Sequence, residues 1–271
     1  MEVKQVGDIH EIQGEHGGSN WEQYFFLCSD IHYDSIDCDR KLLKKHFNQA
    51  KERNAPILIF GDLMSVIGCA QDPRSSKLDV RPEYNVAGYL GAVRDDVISF
   101  LKDYDVAFVS DGNHEENITS RHEIDLIGDI ANALGCARGL YDGFLRFAFR
   151  NNGETKRHMD MYFNHGGGGN SPVTKGVIST NRRSAHTDAD IFVSGHNHNR
   201  WNVETMRRYV DKMGTVKTKA INHINMGTYE GTPPSRGRFH SNFGAPNMGG
   251  VWLRFFLSDS QRNLQVQVVN A

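Results

Sequence analysis

Five predicted strands in this sequence, four of them short apolar runs, each stop at a cluster of Asp, Asn, His and Gly, and this pattern constrains the fold more than any other feature. Tyr24 to Cys28 runs into Ser29-Asp30-Ile31-His32, and Ile57 to Phe60 runs into Gly61-Asp62. Val106 to Val109 ends at Asp111-Gly112-Asn113-His114-Glu115. Lys156 to Phe163 delivers Asn164-His165-Gly166, and Ile191 to Ser194 delivers Gly195-His196-Asn197-His198. A short, nearly continuous apolar run is the mark of a strand buried on both faces. Loops at the ends of such strands are where sheet proteins place their sites.

Helical spacing separates the first of these strands. Leu42, Leu43, His46, Phe47 and Ala50 predict a helix that Pro56 cannot continue, and Leu90, Val93, Val97, Ile98 and Leu101 predict a second. A third runs through Ile124, Ile127, Ile130, Ala131 and Leu134 and stops at Gly135. From residue 143 the period changes to two: Phe144 to Arg150 and Lys156 to Phe163 alternate about a hairpin turn at Asn151-Asn152-Gly153. Trp201 to Val210, Thr215 to Met226, Val251 to Leu257 and Leu264 to Val269 predict further strands. Helix–strand alternation followed by antiparallel strands points to an α/β fold of two sheets packed face to face with helices outside. No linker is visible, so the expectation is one domain over residues 1–271, with a motif core at about 24–230 and residues 1–20 as an N-terminal extension.

Composition narrows the function. A chain of 271 residues is long enough to bury a sizeable core. Its formal net charge of −2 argues against a protein that wraps long nucleic acid by bulk charge. No apolar run approaches the roughly 20 residues of a membrane-spanning helix, and Met1 to His16 carries no signal-peptide pattern, so no membrane contact and a cytoplasmic location are expected. Cys28, Cys38, Cys69 and Cys136 are widely spaced, which fits reduced thiols better than a disulfide framework.

The donors at the five strand ends are carboxylate, amide and imidazole groups without thiolate, a set that suits a pair of divalent ions. Each fragment alone is weak, since a D-x-H or Gly-Asp pair after a strand is usually a solvated turn. Their conjunction in a fixed order is not. Here the sequence resembles the calcineurin-like metallophosphoesterase superfamily, whose pattern is D-x-H, G-D, G-N-H-[DE], H and G-H-x-H; all five stand in order from Asp30 to His198.

The resemblance implies a four-layer α/β/β/α sandwich of two mixed β-sheets flanked by helices. It implies that Asp30, His32 and His198 hold one ion, that Asn113, His165 and His196 hold another, and that Asp62 bridges them. His114 would contact the phosphate and protonate the leaving oxygen, with Glu115 or another acceptor orienting it. The activity implied is hydrolysis of a phosphomonoester or phosphodiester by a metal-activated hydroxide, the diester favoured. The metals expected are two divalent ions, Mn first and Fe, Zn, Co or Ni otherwise.

Departures bear on the substrate, a phosphate ester that includes a nucleotide or nucleic acid among its forms. Gly112-Asn113-His114-Glu115 and His165-Gly166-Gly167 with Ser171-Pro172 are similar to the Ser/Thr protein phosphatase branch. Leu63-Met64-Ser65, however, stand where that branch carries D-R-G, and Gly195-His196-Asn197-His198 is the form found among phosphodiesterases and DNA-repair nucleases. An exonuclease or endonuclease, a protein-phosphatase-like phosphatase and a scaffold that has lost its ions are the alternatives. The Gly166–Gly169 run either lets backbone N–H groups approach an anion or is a bland loop. Arg182 and Arg183 are candidates for a phosphate clamp, with a solvated basic turn as the commoner use of such a pair. His122, His186 and His223 read as surface or core histidines, residues 64–85 as a functional loop, and the Gly/Pro-rich stretch 231–250, with Arg236, Arg238, Phe239 and His240, as a rim loop or an exposed connection.

Overall fold

The computed structural model describes residues 1–17, 20–68, 76, 78–151, 155–167, 171, 173–231, 245–258 and 263–271. These form two mixed sheets with five helices. The first sheet is built from β3 (Glu22–Cys28), β4 (Ile57–Phe60), β5 (Val106–Ser110), β6 (Ala137–Arg138), β12 (Val251–Leu257) and β13 (Leu264–Asn270), in the order β13-β12-β3-β4-β5-β6. Strands β3 to β6 are parallel, and β12 pairs antiparallel with both β3 and β13. Helices α1 (Arg40–Glu52), α2 (Tyr89–Leu101), α3 (Asn113–His122) and α4 (Leu126–Leu134) connect the parallel strands.

The second sheet contains β1 (Glu2–Val6), β2 (Ile9–Glu15), β7 (Asp142–Asn151), β8 (Thr155–Asn164), β9 (Ile191–Ser194), β10 (Trp201–Val210) and β11 (Val216–Asn225), in the order β1-β2-β7-β8-β9-β11-β10. Helix α5 (Val177–Arg183) lies between β8 and β9 in the chain. It touches this sheet through Thr180 Oγ1, 3.4 Å from Ser194 Oγ, and through Ser184, whose carbonyl accepts from Arg207 at 2.6 Å.

Strand β3 explains why the central runs are apolar without alternation. Phe25 and Leu27 point into the core between the sheets, where they join Phe147, Phe149, Phe163, Val193 and Ile224. Phe26 and Cys28 point the other way, against Leu43, Phe47 and Ala50 of α1 and a cluster that includes Val93 and Val97 of α2 and Ile127 and Ile130 of α4. A strand sandwiched in this way has no solvent face to spend polar residues on. Strand β10 is the opposite case, at the edge of the second sheet, and its residues alternate between exposed and half-buried.

Four segments differ from the sequence expectation. The N-terminal stretch is not a separate extension: β1 and β2 complete the second sheet, with β2 parallel to β7 and Ile12 fully buried. Its polar composition hid it, because β1 is an edge strand with most side chains exposed. Helix α3 starts at Asn113, inside the cluster read only as a polar loop, and its apolar content is too low to show a period. The third predicted helix begins at Leu126 rather than Ile124, because the Asp125 carboxylate accepts from Gly128 N and caps it there. Helix α5 was also not expected. Asn152 and Gly153 of the hairpin turn, Cys69, and the middle of the loops at 64–85 and 231–250, including Arg236, Arg238, Phe239 and His240, lie outside the described residues. No helix among the described residues is long and apolar enough to cross a membrane.

Candidate metal centre

The carboxyl ends of β3, β4 and β5 in one sheet and of β8 and β9 in the other open onto the same place. Ligand-type side chains two residues apart can converge only if the backbone reverses sharply, and it does. Asp30, His32, Asp62, His196 and His198 all have positive φ, between 49° and 71°. For a residue with a Cβ this conformation costs on the order of 1 kcal/mol and persists only where its surroundings hold it. Here they do: Asp30 N donates to Gly61 O and His32 N to Asp62 O, each at 3.1 Å, so the first loop runs paired with the second beyond the end of their strands. His196 N donates to both oxygens of Asp30, at 3.0 and 2.9 Å, tying the two sheets together at the site.

Gly195 permits that junction. A Cβ there would stand 2.5 Å from Asp30 Oδ2 and closer still to Ser29 Oγ, which itself donates to Asp30 Oδ2 at 2.6 Å. Gly195→Ala is therefore expected to displace Asp30, lowering stability by about 1–3 kcal/mol through overpacking and weakening metal uptake, as thermal melting and metal titration would report. Unchanged values in both would refute the tight junction.

Three groups of imidazole and carboxylate atoms converge to within 4.8 Å: Asp30 with His32 and His198, Asp62 with His165 and His196, and His32 with Asp62 and His114. In the first, His32 Nε2 lies 3.2 Å from His198 Nε2, which lies 3.4 Å from Asp30 Oδ1. In the second, His165 Nε2 is 3.1 Å from Asp62 Oδ2, and His196 Nδ1 is 2.7 Å from Asn113 Oδ1. Donor atoms bound to one tetrahedral ion at about 2.0–2.1 Å sit roughly 3.3 Å from one another. The first group and the Asp62–His165 pair match that spacing. Facing imidazole nitrogens at 3.2 Å would otherwise have to share a proton, so the residues fit a cation.

Hydrogen bonds behind the site aim these donors. His165 Nδ1 donates to Phe60 O at 3.0 Å, which turns Nε2 toward Asp62. His114 Nδ1 donates to Ser65 O at 2.6 Å, and Ser65 Oγ lies 3.1 Å from His32 Nδ1. One residue thus orients two imidazoles, and its backbone is held by Asp34, whose carboxylate accepts from Ser65 N at 2.5 Å and Val66 N at 3.0 Å. Ser65→Ala removes only the hydroxyl; a loss of about 10–100-fold in metal affinity is expected, as for other groups that orient a metal-binding histidine, with His114 still held. Isothermal titration with Mn would check this, and wild-type affinity would refute it.

The carboxylate expected to orient His114 does something else. Glu115 is buried, and its oxygens accept from Asp62 N at 3.1 Å, Gly112 N at 3.0 Å and Met64 N at 2.8 Å, so it shapes the Asp62 loop rather than His114. Burial and the nearby Asp62 charge push its carboxyl up to about 8, against the pull of the backbone donors. Burial opposes ionisation of Asp62 too, but His165 and His114 outweigh it and hold Asp62 well below the usual range. Asp30 is likewise held down, burial being outweighed by His198 and His165. Burial lowers the His165 pKa, and Asp62 more than offsets this, lifting it to about 10.

A cleft of about 340 Å³ exposes one side of this cluster; His32, Asp62, Asn113, His114, His196 and His198 line it together with Ser65, Asp79 and Glu230. The arginine pair does not. Arg182 is exposed, and Arg183 lines a separate space of about 20 Å³ with Gly166, Gly195 and His196, room for about one water. His223 is a core residue stacked on Phe192 at 5.2 Å, while His186 is exposed and His122 half-buried. Pro172, Gly168 and Gly169 lie outside the described residues. Ser65, Asp34 and Glu230 gave no signal in the sequence, because each acts through a contact between distant loops. Ser29 could have been found, since it adjoins the predicted site residue Asp30.

No protein-family model matches the chain, and no curated protein matches it. Among solved structures, it is similar to GAP50, the anchor in the inner membrane complex of Plasmodium, at 13% identity and a TM-score of 0.47, over 92% of this chain and 89% of that one. It is also similar to a metallophosphoesterase from Sphaerobacter thermophilus, at 11% identity and a TM-score of 0.37, over 92% and 88% of the two chains. Vps29 of Chaetomium thermophilum gives 12% identity and a TM-score of 0.35, over 92% and 97%. None of these likenesses bears on the chemistry of the site, which its own side chains define.

Proposed function

We propose that this chain is a dinuclear-metal-dependent phosphoesterase of the calcineurin-like superfamily, hydrolysing phosphomonoester or phosphodiester bonds. The observation that carries the reading is the pair of donor groups converging on one cleft, with Asp62 against His165 on one side and in the same cluster as His32 on the other. Asp30, His32 and His198 would hold one ion, Asn113, His165 and His196 the other, and Asp62 both. When bound, two divalent ions supply Lewis acidity toward phosphate oxygens and a hydroxide nucleophile from water at neutral pH.

The protein's own part is positioning and proton transfer. His114 lines the cleft, and the bond from its Nδ1 to Ser65 O leaves Nε2 as the nitrogen that presents a proton to a leaving alcohol oxygen. Asp62 Oδ2 lies 3.9 Å from that nitrogen. A cytoplasmic location belongs to the same proposal and is supported by Cys28, Cys38 and Cys136, which are free thiols.

The test combines metal analysis of Mn-loaded protein with hydrolysis of bis-p-nitrophenyl phosphate beside p-nitrophenyl phosphate. Two bound ions and turnover of either ester would support the reading. Absence of turnover of both, with two ions bound, would sink it.

A further inference from the structure

Glu230 stands at the rim of the cleft, and its position is fixed from several directions. Its main chain forms an isolated β-bridge with Cys38, and its N–H donates to Thr228 Oγ1 at 2.9 Å. Thr228 Oγ1 in turn donates to the carbonyl of Asp30 at 2.7 Å, and Tyr229 N donates to the same oxygen at 3.0 Å. The side chain is anchored by Ser35 Oγ, which donates to Oε1 at 2.6 Å, while Oε2 accepts no hydrogen bond from any described residue. Burial works against the charge of this carboxyl, but His32, the Ser35 hydroxyl and His198 outweigh it and hold its pKa below the ordinary value. Asp79 adds a second carboxyl to the same cleft, whose described lining carries imidazoles and carboxyls but no Lys or Arg.

A fixed anion at the mouth of a phosphate site discriminates by charge. A phosphodiester carries one negative charge at neutral pH, whereas a phosphomonoester carries nearly two because its second pKa is about 6. Both would be attracted to a cationic centre, but the dianion is repelled by Glu230 about twice as strongly, in a partly desolvated cleft where Coulomb terms are only weakly screened. We propose that Glu230 sets the substrate class of this site, selecting singly charged phosphodiesters over doubly charged phosphomonoesters. The proposal rests on the phosphoesterase reading above, and Glu230 acts in it as a specificity residue.

The experiment compares wild type with Glu230→Gln, which keeps an acceptor for Ser35 and removes the charge. Binding of inorganic phosphate and of dimethyl phosphate to the Mn-loaded full chain is measured by calorimetry at pH 8, beside kcat/KM for bis-p-nitrophenyl phosphate and p-nitrophenyl phosphate. Removing one nearby charge is expected to strengthen phosphate binding about tenfold and dimethyl phosphate binding about threefold, so that the diester-to-monoester ratio falls about threefold. Ser35→Ala, which removes the anchor and keeps the charge, should retain the wild-type preference; loss of preference there would mean a structural role and overturn the proposal.

The two readings fail separately. Diester turnover with both ratios unchanged in Glu230→Gln overturns the role of Glu230 and leaves the phosphoesterase standing. Tighter phosphate binding in Glu230→Gln without turnover of either ester upholds the charge filter and overturns the hydrolytic reading. No binding of either anion and no turnover overturns both.

Discussion

Asp62→Asn is expected to reduce bound metal from two ions per chain to one or none and to lower diester hydrolysis by roughly 10³-fold or more, the scale expected when a two-ion site loses its shared ligand. The substitution is nearly isosteric, so the change tests charge rather than shape. Asp62 is buried, its Oδ2 lies 3.1 Å from His165 Nε2, and its Oδ1 accepts from His114 N at 3.0 Å. An amide oxygen can keep the second of these bonds. It cannot supply the negative charge that two cations in a poorly hydrated pocket need nearby. Glu115 holds the Asp62 loop through its backbone, so the variant should fold with the same circular dichroism. Metal analysis and initial rates decide the matter: full metal content with full activity would remove Asp62 from the bridging role.

His114→Ala is expected to leave metal content unchanged and to lower turnover by about 10²–10⁴-fold, the range for loss of a general acid. The structure makes this a sharp test, because His114 sits close enough to His32 and Asp62 to form a donor group of its own. Its Nε2 is 3.9 Å from Asp62 Oδ2, however, against 3.1 Å for His165. The ring also donates through Nδ1 to a backbone carbonyl, a bond that suits a proton carrier as well as a ligand. The backbone N–H to Asp62 survives in the alanine variant, so the Asp62 loop should not move. Equilibrium dialysis separates the roles: loss of one ion in His114→Ala would make it a ligand. With a good leaving group such as p-nitrophenolate, which needs little protonation, the loss should be smaller than with an alkyl diester.

The strands that carry the candidate site were legible because their burial is two-sided. Ile57 to Phe60 and Val106 to Val109 are apolar at every position since one face meets the opposing sheet and the other meets helices. The ends of the strands were legible for a related reason, as the first polar residues after them mark where both coverings stop. Strand β1 was not, because its edge position lets most side chains face water and erases the contrast between faces, and β2, though inside the sheet, is written in the polar residues His10, Glu11 and Gln13 around a buried Ile12. Helix α3 was hidden by the opposite economy: it spends its first turn on Asn113, His114 and Glu115, which serve the cleft and the Asp62 loop rather than a core.

Local composition thus determined the α/β architecture and delivered seven donor-bearing positions to strand ends, since burial and period act over a few neighbouring residues. What tertiary structure alone decided is which distant groups meet. Ser65 reaching both His32 and His114, Glu115 serving Asp62 instead of His114, Arg183 turned away from the cleft and Glu230 brought into it all depend on loops separated by tens to nearly two hundred residues in the chain. Hydrogen bonds and charges act through space at a few ångströms, and only the packed sheets fix which residues come within that reach.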